Sequence, residues 1–105
     1  MKSFIVSMLA TAGLIIASSA LAVDLPPEGK RCSTCHAVDR RVVGPAFKDV
    51  AAKYKGQKDA AKKIAASITS GGSFGWKLGK MPPRGMGASD ADIQTMSKFI
   101  AGLAK

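Results

Sequence analysis

The stretch RCSTCHAVDRRVVGP, residues 31–45, contains both cysteines of the chain, its single histidine and a Gly-Pro pair. Cys32, Cys35 and His36 form a Cys-x-x-Cys-His motif. Four kinds of site use such a spacing: a disulfide, a thiol redox centre, part of a metal site and an anchor for haem. The rest of the sequence decides which of the four is favoured.

Residues 1–22, MKSFIVSMLATAGLIIASSALA, predict a cleaved export signal. A short apolar run follows Lys2 and ends before the A-x-A cleavage site at residues 20–22. The run is shorter than the ~20 residues of a membrane span, and no basic stop-transfer segment follows it. We therefore expect cleavage after Ala22, a periplasmic location and one mature domain over residues 23–105.

The composition is that of a small basic protein. The chain has 105 residues with 16 Lys and Arg against 7 Asp and Glu, a formal net charge of +9. A domain of this size buries a modest fraction of its surface and usually needs reinforcement. A disulfide across so short a loop would constrain the unfolded chain little, so the reinforcement must have another source. The charge favours acidic partners, but not nucleic acid, because the chain is predicted to be exported and lacks aromatic residues among its basic ones.

Apolar residues at helical spacing predict short helices. A first helix begins near Pro27 or Glu28 and runs into the cysteine turn. A second covers residues 47–55 and ends at Gly56, and a third covers residues 59–70, with Asp59 as its predicted N-cap.

The last helix follows Ser89, which we expect to cap its first turn. Its apolar stripe consists of Ile93, Met96, Ile100 and Leu103. Residues 73–88 are rich in glycine and proline and predict a long ordered loop. No strand pattern is present, so the sequence predicts an all-α domain of three or four short helices around that loop.

Haem is the favoured occupant of the Cys-x-x-Cys-His motif. A thiol-disulfide enzyme would carry the motif after a buried strand, and a tetrahedral zinc site needs four ligands where Cys32, Cys35 and His36 supply three. Two thiols one helical turn apart can each bond a vinyl group of a porphyrin, while the next residue directs its imidazole at the iron. A bound porphyrin would also supply the missing apolar core.

The second axial ligand is predicted to be a methionine, because His36 is the only histidine. Met81 lies in GKMPP, where two prolines stiffen the loop, whereas Met86 lies between two glycines. Met96 fits the stripe of the last helix as a core residue. Met81 is therefore the favoured ligand, and a thioether raises the reduction potential relative to a second imidazole.

With both axial positions filled, the iron has no place for a substrate, which predicts an electron carrier and not an enzyme. Two alternatives stay open. If Met81 only covers the iron, the protein is a five-coordinate haem protein that binds a gas or acts on peroxide. The less favoured alternative is a haem-free thiol-disulfide oxidoreductase.

Five segments together resemble a known family. CSTCH, VVGPAFKDVAAKY, GGSFGW, KMPP and SDADIQTMSKFIAGL are similar in order and spacing to the short bacterial class I cytochromes c of the cytochrome c-551 type. The resemblance implies the small class I cytochrome c fold and one haem c per chain, attached through Cys32 and Cys35. It also implies that the Pro45 carbonyl orients His36 and that Trp76 lies along the haem, although simple core packing would also account for an indole there.

Positive charges bracket the predicted haem edge. Lys77, Lys80 and Arg84 lie around Met81, and Arg31 precedes Cys32. We expect a monomer that docks there, transiently, with acidic redox proteins such as membrane cytochrome complexes and terminal reductases or oxidases. Arg84 departs from the resemblance, since relatives often carry a small amide residue there, and we expect its charge to raise the potential or loosen the loop. The lysines of residues 53–63 are interpreted as solvated surface.

Overall fold

A computed structural model of the chain describes residues 23–104; the predicted export signal and Lys105 lie outside the described residues. The elements in chain order are a 3-10 helix η1 (Pro27–Thr34), the helices α1 (Phe47–Lys53) and α2 (Ala60–Ser70), the single turn α3 (Arg84–Gly87), in which Gly85 and Met86 have left-handed backbone angles, and the helix α4 (Asp90–Gly102). Extended pairing within residues 23–104 is limited to two isolated antiparallel bridges. The predicted all-α class is confirmed, and none of the helices just named is long and apolar enough to cross a membrane.

The last helix, α4, organises the packing because it contacts η1, α1 and α2. Its first turn is capped as predicted, since the Ser89 hydroxyl accepts a hydrogen bond from the Asp92 N–H at 3.1 Å. The predicted stripe is buried at Ile93, Met96 and Ile100, whereas the Leu103 side chain is half-buried.

Two predicted helix ends differ from the structure. Helix α1 ends at Lys53, two residues early, because Tyr54 leaves helical geometry with φ −102° and ψ 4°. Asp59 occupies the N-cap position of α2, but its side chain makes no capping hydrogen bond. Its backbone is not extended, and its carboxylate pairs instead with Lys63 Nζ at 3.5 Å.

The buried core is small, and three of its eight apolar residues are alanines. Its buried apolar residues are Ala46, Phe47, Ala51, Ile64, Ala65, Ile93, Met96 and Ile100. Ser97 is also fully buried, and its hydroxyl donates to the Ile93 carbonyl at 2.6 Å. So few large side chains leave the core dependent on whatever covers its open side.

The contact between η1 and α4 requires a glycine. Gly29 is buried, and a Cβ at this position would lie 2.5 Å from Met96 Sδ and 2.9 Å from Leu25 Cγ. The two backbones can therefore approach closely only because residue 29 has no side chain.

Gly29→Ala should lower the free energy of unfolding by about 1–3 kcal/mol, because the added methyl group overpacks a buried crossing. Denaturant unfolding measures this change. Gly102→Ala is the matched control, since a Cβ on Gly102 meets nothing within 4 Å and the substitution favours helix. Equal effects of the two substitutions would contradict the interpretation.

Candidate functional site

A cleft of about 930 Å³ opens between η1, α1, α2, α4 and the loop that precedes α3. Its lining is predominantly apolar and includes core residues, namely Phe47, Ile64, Met96 and Ile100. The cleft therefore reaches the hydrophobic core, where an apolar occupant is favoured over water.

The end of η1 brings both cysteines to this cleft. Cys32 and Cys35 are free, half-buried thiols, and the N–H groups of Cys35 and His36 both donate to the Cys32 carbonyl, at 3.1 and 2.9 Å. Burial raises the pKa of the Cys32 thiol, although the nearby Arg31 acts in the opposite direction. Reactive redox cysteines have lowered pKa values, so this direction disfavours the thiol-disulfide oxidoreductase alternative.

The His36 imidazole is held on two sides. Its Nδ1 lies 2.7 Å from the Pro45 carbonyl oxygen, which is the contact that the resemblance implied for Pro45. Because a carbonyl can only accept, Nδ1 carries the hydrogen and Nε2 keeps a free lone pair. The Phe47 ring stacks on the imidazole with 4.9 Å between centroids. The imidazole therefore has a fixed position and a defined tautomer.

A tight loop makes room for this imidazole. The N–H groups of Val43 and Gly44 both donate to the Cys35 carbonyl, at 3.0 and 2.6 Å. A Cβ on Gly44 would lie 2.5 Å from His36 Cε1. Glycine is needed here because any side chain would occupy the space of the imidazole.

Met81 lines the same cleft and is pinned through its backbone. Its N–H and carbonyl exchange hydrogen bonds with Gly72, both at 2.9 Å. Gly71, with φ 65°, permits this pairing, since a Cβ on it would lie 2.5 Å from the Met81 carbonyl oxygen. By contrast, Met86 is 80% exposed and is not among the cleft residues. The structure thus brings Met81, and not Met86, together with the cysteines and His36.

Trp76 also lines the cleft and is half-buried. It contacts Lys53 of α1, one of the lysines predicted to be solvated surface. Lys53 Nζ donates to the Phe74 carbonyl at 2.8 Å and lies 5.3 Å from the centroid of the Trp76 ring. This cation–π contact holds the loop against the end of α1. Nothing in the spacing of the sequence indicates such a contact.

The arginines near the mouth of the cleft are engaged. Arg31 donates to the Met86 carbonyl at 3.0 Å. Arg84 pairs with the Asp90 carboxylate at 2.7 Å and also donates to the Ala88 carbonyl at 3.3 Å. Arg84 is therefore paired with a carboxylate, and its effect on the reduction potential stays a prediction.

The residues of the cleft fit haem c. Cys32 and Cys35 offer two thiols for thioether attachment, and the His36 imidazole and the Met81 thioether would supply ligands to the iron. The apolar walls match the porphyrin plate. The arrangement supports one-electron chemistry in a largely apolar cleft.

A family model for cytochrome c matches residues 29–104. The chain is 39% identical over 104 residues to cytochrome c-551 from Pseudomonas aeruginosa, covering 95% of this chain and 96% of the relative. It is 38% identical over 103 residues to cytochrome c-552 from Nitrosomonas europaea, covering 98% and 99%.

Solved structures agree with these matches. The crystal structure of wild-type Nitrosomonas europaea cytochrome c552 matches with a TM-score of 0.66 and 42% identity, covering 72% of this chain and 95% of that chain. This likeness confirms the class I cytochrome c fold. The chain therefore belongs to the cytochrome c family, as a monohaem electron carrier that binds haem c covalently through its Cys-x-x-Cys-His motif.

Proposed function

We propose that the chain is a periplasmic electron carrier whose single haem is attached through Cys32 and Cys35 and ligated by His36 and Met81. The observation that carries this proposal is the convergence of the four side chains on one apolar cleft. The signal-like residues 1–22 support the location, because covalent haem attachment of this kind accompanies export.

Haem, when bound, would supply a one-electron redox couple, and the residues around it would set its orientation and its reduction potential. The bond from His36 Nδ1 to the Pro45 carbonyl raises the basicity of Nε2 and fixes the direction of its lone pair. The Met81 thioether would be a softer ligand than an imidazole and would favour ferrous iron, which would raise the reduction potential. The backbone pairing of Met81 with Gly72 limits rearrangement of the ligand during electron transfer.

We further propose that the protein has no enzymatic activity of its own. If His36 and Met81 both ligate the iron, they would leave no position on it for a substrate. Thioether attachment of Cys32 and Cys35 would also leave neither thiol free for disulfide exchange.

The partners that we propose are acidic redox proteins, such as membrane cytochrome complexes and terminal reductases or oxidases, bound transiently by a monomer. Lys77 and Lys80 are exposed on the loop that precedes Met81, and Arg31 is exposed beside Cys32. Exposed positive charge at the mouth of the cleft attracts acidic surfaces over long range and accelerates encounter.

The optical spectrum of protein expressed with its export signal tests the ligand assignment. Wild-type ferric protein should show the weak absorption band at the red end that is typical of iron bound to methionine sulfur. Met81→Ala should lose this band and lower the reduction potential, because a weaker or different ligand replaces the thioether. Met86→Ala is the matched control and should keep both properties. A band that survives Met81→Ala would refute the assignment.

Gly44→Ala tests the seating of the imidazole. The added methyl group displaces His36, so the free energy of unfolding should fall by about 1–3 kcal/mol. The hydrogen on Nδ1 should also exchange with solvent at least about tenfold faster, as measured by NMR, because its bond to Pro45 weakens. Val42→Ala, at an exposed neighbouring position, should leave both quantities near those of the wild type.

Lys77→Gln combined with Lys80→Gln tests the docking face. Stopped-flow oxidation of the ferrous protein by hexacyanoferrate(III) at low ionic strength should slow several-fold, and the difference should shrink as salt screens the charges. Lys48→Gln combined with Lys62→Gln removes the same charge elsewhere and should have a smaller effect. If the two pairs slow the reaction equally, only net charge matters and the docking face is refuted.

A further inference from the structure

A second concave surface lies where the turn between α1 and α2 meets the end of α4. It is a solvent-open groove of about 790 Å³. Its lining includes Tyr54 and four alanines, which are Ala60, Ala61, Ala101 and Ala104. Small side chains of this kind leave room for a protruding chain segment to approach the backbone closely.

Three exposed lysines also line the groove: Lys55, Lys58 and Lys98. The ion pairs found within residues 23–104 are Lys63 with Asp59 and Arg84 with Asp90, so none of the three is neutralised by a described carboxylate. No carboxylate is among the described residues that line the groove. Three positive charges on one concave surface focus an attractive field for anions.

We propose that this groove is a second docking surface, which takes an acidic segment of a partner protein. Charge complementarity with the three lysines selects carboxylates. The concave shape favours a protruding segment over a flat bilayer, and the alanines provide apolar contact for its backbone and small side chains. The surface is separate from the docking face of Lys77 and Lys80, which contribute nothing to the groove.

Tyr54 connects the groove to the function. Tyr54 is half-buried and lines both the groove and the haem cleft, so a segment seated in the groove would contact a residue that also borders the cleft. This connection rests on the proposed function, and it would give a redox partner a second surface from which to reach the haem. Binding of a segment in the groove does not itself depend on which residues ligate the iron.

Titration of the ¹⁵N-labelled ferrous holoprotein with a hexaglutamate peptide tests the proposal. Amide shifts should concentrate at residues 55–61 and 98–104. The triple variant Lys55→Gln, Lys58→Gln and Lys98→Gln should bind the peptide about tenfold more weakly, as expected from three rim ion pairs. The control triple variant Lys30→Gln, Lys48→Gln and Lys62→Gln removes the same charge outside the groove and should weaken binding less than about twofold.

Equal weakening by the two triple variants would overturn the proposal, and so would shifts confined to residues 77–81. Binding to phosphatidylglycerol vesicles is measured for comparison. If the groove lysines are needed for vesicle binding, and the peptide causes no amide shifts in the groove, the occupant is a lipid surface and the proposed acidic protein segment is refuted. A holoprotein without the methionine–iron band would refute the proposed function but leave the peptide result standing, so the two failures are distinguishable.

Discussion

The hydrogen bond between His36 Nδ1 and the Pro45 carbonyl is the constraint on which the rest of the structure depends. This bond places the hydrogen on Nδ1, leaves the lone pair on Nε2 and fixes the orientation of the imidazole, and the stacked Phe47 ring supports one face of it. Pro45 can approach His36 because the Cys35 carbonyl accepts hydrogen bonds from two consecutive N–H groups of the loop, and because Gly44 has no side chain to occupy the space of the imidazole. The residue that supplies the stacking ring is also the first residue of α1, so the helix begins where the site is completed.

The small core explains why the fold and its cofactor are inseparable. Phe47, Ile64, Met96 and Ile100 belong both to the hydrophobic core and to the walls of the cleft. A porphyrin plate in that cleft would therefore extend the core and add apolar burial that a core of this size cannot supply alone. Covalently attached haem stays on the unfolded chain, so it would stabilise the fold through the contacts that it makes only in the folded state.

Much of the architecture could be predicted from local sequence, because helix periodicity and caps act over a few residues. The α4 stripe and the Ser89 cap follow from spacing and side-chain chemistry, and the prolines after Met81 separated it from Met86. The pairing of Met81 with Gly72 and the contact of Lys53 with Trp76 join residues distant in sequence, so no local pattern encodes them. Arg84 and Asp90 are only six residues apart, but the chain between them has no helical spacing, so no local pattern predicts their ion pair.

The turn at residues 84–87, which follows Met81, is strained and is held by a hydrogen bond from another segment. Arg84 and Met86 have left-handed φ values of 57° and 71°, a geometry that costs about 1–2 kcal/mol for each non-glycine residue. Arg31, next to the cysteine anchors, grips the Met86 carbonyl and holds this strained turn in place. This hydrogen bond therefore joins the segment that carries Cys32 and Cys35 to the loop that carries Met81 across the rim of the cleft. Any movement of the turn away from the cleft would have to break it.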